Sequence, residues 1–153
     1  MKITIVLTQL LRGVYADAAL MSAGVDALRR PALLRHEHDA ALRRAAVSAW
    51  ATLMADIVPY VKASEFTVAD ELASAEPDYL SVELSGVGAE ARGPAIRLQL
   101  ETALERRILA MAWRREAPEV AAANDALAEM AIEALVRLAG PQPGDGLPYL
   151  KLY

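Results

Sequence analysis

The sequence predicts a mainly α fold: a four-helix, bundle-like domain with a small two- or three-stranded antiparallel β element. Three observations predict it. About a fifth of the residues are alanine, which loses no side-chain entropy on entering a helix. Apolar residues recur at three- and four-residue spacing in four separate segments. Two short segments, residues 2–7 and 79–84, instead carry the β-branched or alternating pattern of strands.

Taken in order, residues 2–7 form the first strand or extended arm. Thr8 can cap a first helix over about 8–23, with Leu11, Val14, Tyr15, Ala18 and Met21 on one face and Gly24 as its stop. A connector covers 24–38. Asp39 can cap a second helix over about 39–60, whose stripe is Leu42, Ala46, Trp50, Leu53, Ile57 and Val61 and which Pro59 breaks or kinks near its end. Ser64, Phe66, Thr67 and Val68 suit a short extended piece. The alternation of Leu80, Val82 and Leu84 makes 79–84 a half-buried strand, ended by Gly86 and Gly88. Strands 2–7 and 79–84 can pair, but an isolated pair is marginal in water and needs a helix or a third strand. The third helix follows Gly93-Pro94 and runs to about Arg115, with Ile96, Leu100, Ala103, Leu104, Ile108 and Met111 as its stripe. The fourth starts near Pro118, carries Val120, Ala123, Leu127, Met130, Ala131, Ala134 and Leu138, and stops at Gly140-Pro141. The short link makes helices three and four antiparallel neighbours, or else one long helix bent at Pro118. Residues 1–140 are read as one domain. Residues 141–146 are read as a linker and 147–153 as an arm, apolar where chain ends are usually polar.

A chain of 153 residues without cysteine is long enough to fold without disulfide or metal, and thiolate chemistry is excluded. The formal charge of −4 argues against a nucleic-acid binder by net charge. No uninterrupted apolar run approaches the ~18–20 residues of a membrane span, and the N-terminal apolar run lacks a convincing cleavage pattern. A cytoplasmic protein is expected.

Few constellations invite chemistry. His36 and His38 diverge on a helix and share a side only in extended chain, so with Glu37 and Asp39 they read as a solvated connector and cap rather than a metal site. Glu101, Glu105, Glu129 and Glu133 suggest a carboxylate-bridged metal, but no histidine lies on those helices. Glu101 with Arg106 or Arg107, and Glu133 with Arg137, read instead as surface charge pairs. No Gly-x-Ser-x-Gly setting or phosphate loop is present. No catalytic residue, cofactor, metal or small-molecule substrate is expected.

The basic residues are more informative. Arg106, Arg107, Arg114 and Arg115 fit the favourable end of a helix dipole. Arg29, Arg30, Arg35, Arg43 and Arg44 lie near a helix start, where cations gain nothing, and form a candidate partner-binding segment. Acidic residues gather instead in 65–83. If the two regions lie on opposite faces, copies of the chain could meet head to tail. Leu147, Tyr149, Leu150, Leu152 and Tyr153 form the second candidate, an arm that could add a strand to a neighbour's sheet edge. Trp50 and Trp113 are expected as core anchors.

The chain order also resembles a known group. A short N-terminal strand and early helix, the helix end LMADIVPYV, the acidic strand region PDYLSVEL and the closing pair LETALERRILAMAW…LAEMAIEALVRLAG together resemble short proteins of prophage structural gene clusters in gut Bacteroidales. The resemblance spans most of the chain as a pattern and transfers no functional residue. It implies a virion-associated or assembly role near the head–tail junction or tail. The expected function is a non-catalytic structural subunit acting through homo-oligomerisation or contact with other structural proteins. The alternative is an adaptor that binds an acidic partner or nucleic acid through residues 29–44.

Overall fold

In the computed structural model the described residues are 1–23, 31–35, 39–67, 78–85 and 91–140. They form β1 (Lys2–Val6), α1 (Leu7–Ala23), α2 (Asp39–Asp56), β2 (Val61–Thr67), β3 (Tyr79–Leu84), α3 (Gly93–Trp113) and α4 (Pro118–Ala139), with single 3-10 turns at Ala32–Leu34 and Val58–Tyr60. The mainly α class with a small antiparallel sheet is therefore the fold of this chain.

The third strand that an isolated pair would need is present. The sheet order is β1-β3-β2, antiparallel throughout, with Ile3 opposite Val82 and Ile5 opposite Leu80. On the other side Phe66 lies opposite Leu80, and the register shifts between Val61 and Ala63. A period of two sends Ile3, Ile5, Leu80, Val82 and Leu84 to one face, where all are buried in the same core cluster as the helices. The other face carries a Lys2 Nζ–Glu65 Oε1 pair at 2.9 Å, a Lys62–Glu83 pair at 3.9 Å and a Thr4–Ser81 hydroxyl contact at 3.4 Å.

The strand β1 runs directly into α1, so Thr8 sits inside the first turn rather than capping it. The Leu7 amide instead donates to the Asp78 carbonyl at 2.9 Å. Of the expected stripe, Leu42, Ala46, Trp50 and Leu53 are buried on α2 and Ile57 just after it, whereas Val61 is half-buried and opens β2. The α-helix ends at Asp56, ahead of Pro59, which lies in the first residues of the following 3-10 turn. Helices α3 and α4 are separate, with Arg114–Glu116 as a turn between them, and they pack more extensively on each other than any other pair of elements. Helices α1 and α2 also pack on α3. That central position buries more of α3 than the single stripe expected of it. Ile108, Leu109, Ala110, Ala112 and Trp113 are all buried, and at ~100° per residue they spread over about 200° of the helix near its end.

The fourth helix departs most from its sequence pattern. Its buried residues are Ala121, Asn124, Ala128, Ala131, Ile132, Leu135 and Ala139. Of the expected stripe, Ala123 is exposed, Leu127 is 44% exposed and Met130 66% exposed. Helix axes approach within ~8–10 Å of each other, and small side chains at the contact allow the shorter distances. Ala121, Ala128, Ala131 and Ala139 are buried along with Ile132 and Leu135, while Leu127 and Met130 are left outside.

Candidate functional site

The first candidate partner segment is only partly visible. Arg29 and Arg30 lie outside the described residues, as do His36, Glu37 and His38. Arg43, on the second turn of α2, forms an ion pair with the carboxylate of Asp78, which is buried just before β3. Its charge is therefore paired within the fold. The same pair joins the basic segment to the acidic one. At this point the two segments lie side by side. Arg35 and Arg44 remain exposed, with no ion pair among the described residues. The arm residues Leu147, Tyr149, Leu150, Leu152 and Tyr153 lie outside the described residues.

The arginines of α3 are interhelical contacts rather than dipole partners. Arg106 reaches Asp17 of α1 at 3.0 Å and donates to Asn124 of α4 at 3.3 Å, while the Asn124 amide donates to the Val120 carbonyl at 2.9 Å. Arg107 bonds Asp56 of α2 and Glu129 of α4, the latter at 3.2 Å. Adjacent residues on a helix point ~100° apart, so the two side chains bind different neighbours. Arg114 lies beyond the helix end, 3.6 Å from Asp125. Glu101 pairs with Arg97 at 2.8 Å, not with Arg106 or Arg107, whereas Glu133 does pair with Arg137, at 3.5 Å.

A cleft of about 200 Å³ opens where β1, α1 and α3 meet, lined by Ile5, Val6, Gln9, Leu10, Arg97, Glu101 and Glu105. Glu105 is its unusual member. Partial burial pushes its carboxyl up to about 7, the nearby Asp17 and Glu101 carboxylates add to that rise, and Arg106 opposes it. The carboxyl lies against Gly13, where an added Cβ would collide with Oε1 and stand 3.1 Å from Cδ. A glycine inside a helix costs ~1 kcal/mol relative to alanine, so Gly13 is the sequence signal that something approaches α1 closely. It was missed because the glutamates of α3 read as a solvated face. Near neutral pH this group exchanges a proton at the cleft wall, so the cleft changes charge in the physiological range.

Neither a scan of protein-family models nor searches of curated proteins and of solved structures found a match to this chain.

Trp50 and Trp113 are buried, as expected of core anchors. Among the described residues their indole N–H groups are buried without a hydrogen-bond partner, as is Nη1 of Arg107. No helix among the described residues is long and apolar enough to cross a membrane.

Proposed function

We propose that this protein is a non-catalytic structural or assembly subunit that works by associating with copies of itself. One observation carries the reading: α4 presents Leu127 and Met130, three residues apart on one face, to solvent. Exposed large apolar side chains grouped on one element mark interaction surfaces more often than scattered single ones do. The outer strand β2 adds weight. No described strand pairs with its free edge, and Phe66 on it is 55% exposed. An edge of this kind accepts a strand from another chain, and the apolar arm at 147–153 has the composition for that role. The prophage-cluster resemblance favours the same class, with a virion as the setting.

The test is the mass of the full chain by light scattering at micromolar concentration, with and without residues 141–153. The reading expects a mass above that of the monomer, lowered by the deletion if the arm contributes. A monomeric full chain would refute it. The adaptor reading draws on the exposed Arg35 and Arg44. It expects binding of an acidic partner or nucleic acid that weakens steeply with salt, measured by polarisation.

A further inference from the structure

The outward face of α4 has the symmetry of a self-complementary contact. At ~100° per residue, Ala123, Leu127, Met130 and Ala134 fall within about 60° of one another. Ala123 and Leu127 are exposed and Ala134 is half-buried, so small residues flank the two large ones. The helix spans Pro118–Ala139, so its centre falls between Ala128 and Glu129. Turned end over end about that centre, the helix places Leu127 on Met130 and Ala123 on Ala134.

The charges obey the same operation. Glu119 is exposed in the first turn of α4 and Arg137 is exposed in its last. They lie eighteen positions apart, about five full turns, and so share one angular position beside the apolar stripe. A two-fold axis perpendicular to the helix brings each flank against the same flank of the second copy. Glu119 of one chain then lies within one residue of facing Arg137 of the other, and this happens at both ends. A parallel pairing would instead put the two copies of this flank on opposite sides of the seam, where Glu119 and Arg137 make no cross-pair. Arg137 already touches Glu133 at 3.5 Å, and it is exposed enough to serve both carboxylates.

We infer that the occupant of this face is a second copy of the chain, with the two α4 helices antiparallel about a two-fold axis at their midpoint. This rests on the assembly reading above and names its partner and geometry. Such a contact is isologous: the same patch serves both chains and closes at two copies. The seam is roughly 33 Å long and ~10 Å wide. That is small beside the ~800 Å² that standard interfaces bury per partner, so dissociation in the micromolar range is expected.

The experiment uses the full chain and four variants of it: Leu127→Glu with Met130→Glu, Glu119→Arg, Arg137→Glu, and the last two combined. Sedimentation is followed up to about 100 µM, with circular dichroism to confirm folding, since every substituted side chain is exposed. The expected result is a concentration-dependent dimer that the double glutamate variant abolishes. Each single charge reversal should weaken it about tenfold, and their combination should restore it. An associating wild type that the double glutamate variant leaves unchanged would overturn this face while sparing the assembly reading. Single reversals without effect, or a combination that fails to restore association, would overturn the antiparallel register. A wild type that stays monomeric would remove both the interface and the assembly reading.

Discussion

Replacing Glu105 with glutamine tests the environment of the cleft. The carboxyl rises from an ordinary 4.5 to about 7 in the folded protein, chiefly through partial burial and then through Asp17 and Glu101. A raised acid binds its proton more tightly when folded. The unfolded chain therefore ionises first, and stability falls as pH rises from about 4.5 to about 7. Above that window the whole deficit is present; below it there is none. At about 1.4 kcal/mol per pH unit the shift amounts to at most ~3 kcal/mol. Glu105 keeps contact with water, and screening reduces this to about 1–2 kcal/mol. Glutamine has nearly the same shape and never ionises. At pH 8 the Glu105→Gln variant should be more stable than wild type by about 1–2 kcal/mol, or roughly 3–8 °C in melting temperature. At pH 4 the two should coincide. Thermal melts of both proteins at half-unit steps from pH 4 to 9 give the difference directly, since the remaining acids cancel. Parallel curves across that range would refute the assignment of a raised carboxyl at this place.

Other outcomes follow from the same contacts. Gly13→Ala should displace the Glu105 carboxyl towards water and lower its pKa from about 7, with up to ~1 kcal/mol of helix propensity offsetting the rearrangement; a carboxyl carbon titration by NMR reads the shift, and an unmoved pKa would contradict the contact. Arg43→Ala removes a cation that pairs with the buried Asp78 carboxylate, and urea unfolding should register a loss of up to about 3–5 kcal/mol. Trp113→Ala opens a void at the C-terminal end of α3, where the side chain is fully buried; a cost of about 3–5 kcal/mol is expected by the same assay.

Much of this fold was legible in the sequence because pattern and burial coincide in most elements. Leu42, Ala46, Trp50, Leu53 and Ile57 are spaced for one helix face and lie in the core, and residues 79–84 alternate as a strand with one buried face should. The short link before Pro118 left two antiparallel helices or one bent helix open, and α3 and α4 are separate. Pattern reading failed where spatial neighbours decide. In α4 the spacing puts Leu127 and Met130 on the core stripe, whereas the face that is buried carries Ala121, Ala128, Ala131, Ile132 and Leu135. Arg106 and Arg107 carried no mark of their partners Asp17, Asp56, Asn124 and Glu129, because those lie on three other helices. Arg43 and Asp78 stand thirty-five positions apart, and spacing says nothing about a pair that distant. Gly13 was the one local clue to the cleft, and its meaning depended on knowing which residue of α3 lay opposite.

The most direct measurement of the central claim uses distances between identical positions in two copies. The chain has no cysteine, so single cysteine replacements at Ala122, Ala126 and Glu133 can each carry a spin label cleanly. In an antiparallel pair centred on α4, axial separations of about 20, 8 and 14 Å follow from the 1.5 Å rise per residue. The profile should pass through a minimum near Ala126 and lengthen towards both helix ends. Equal distances at all three positions would mean a parallel pairing, and the absence of any dipolar coupling would mean that α4 does not join the copies.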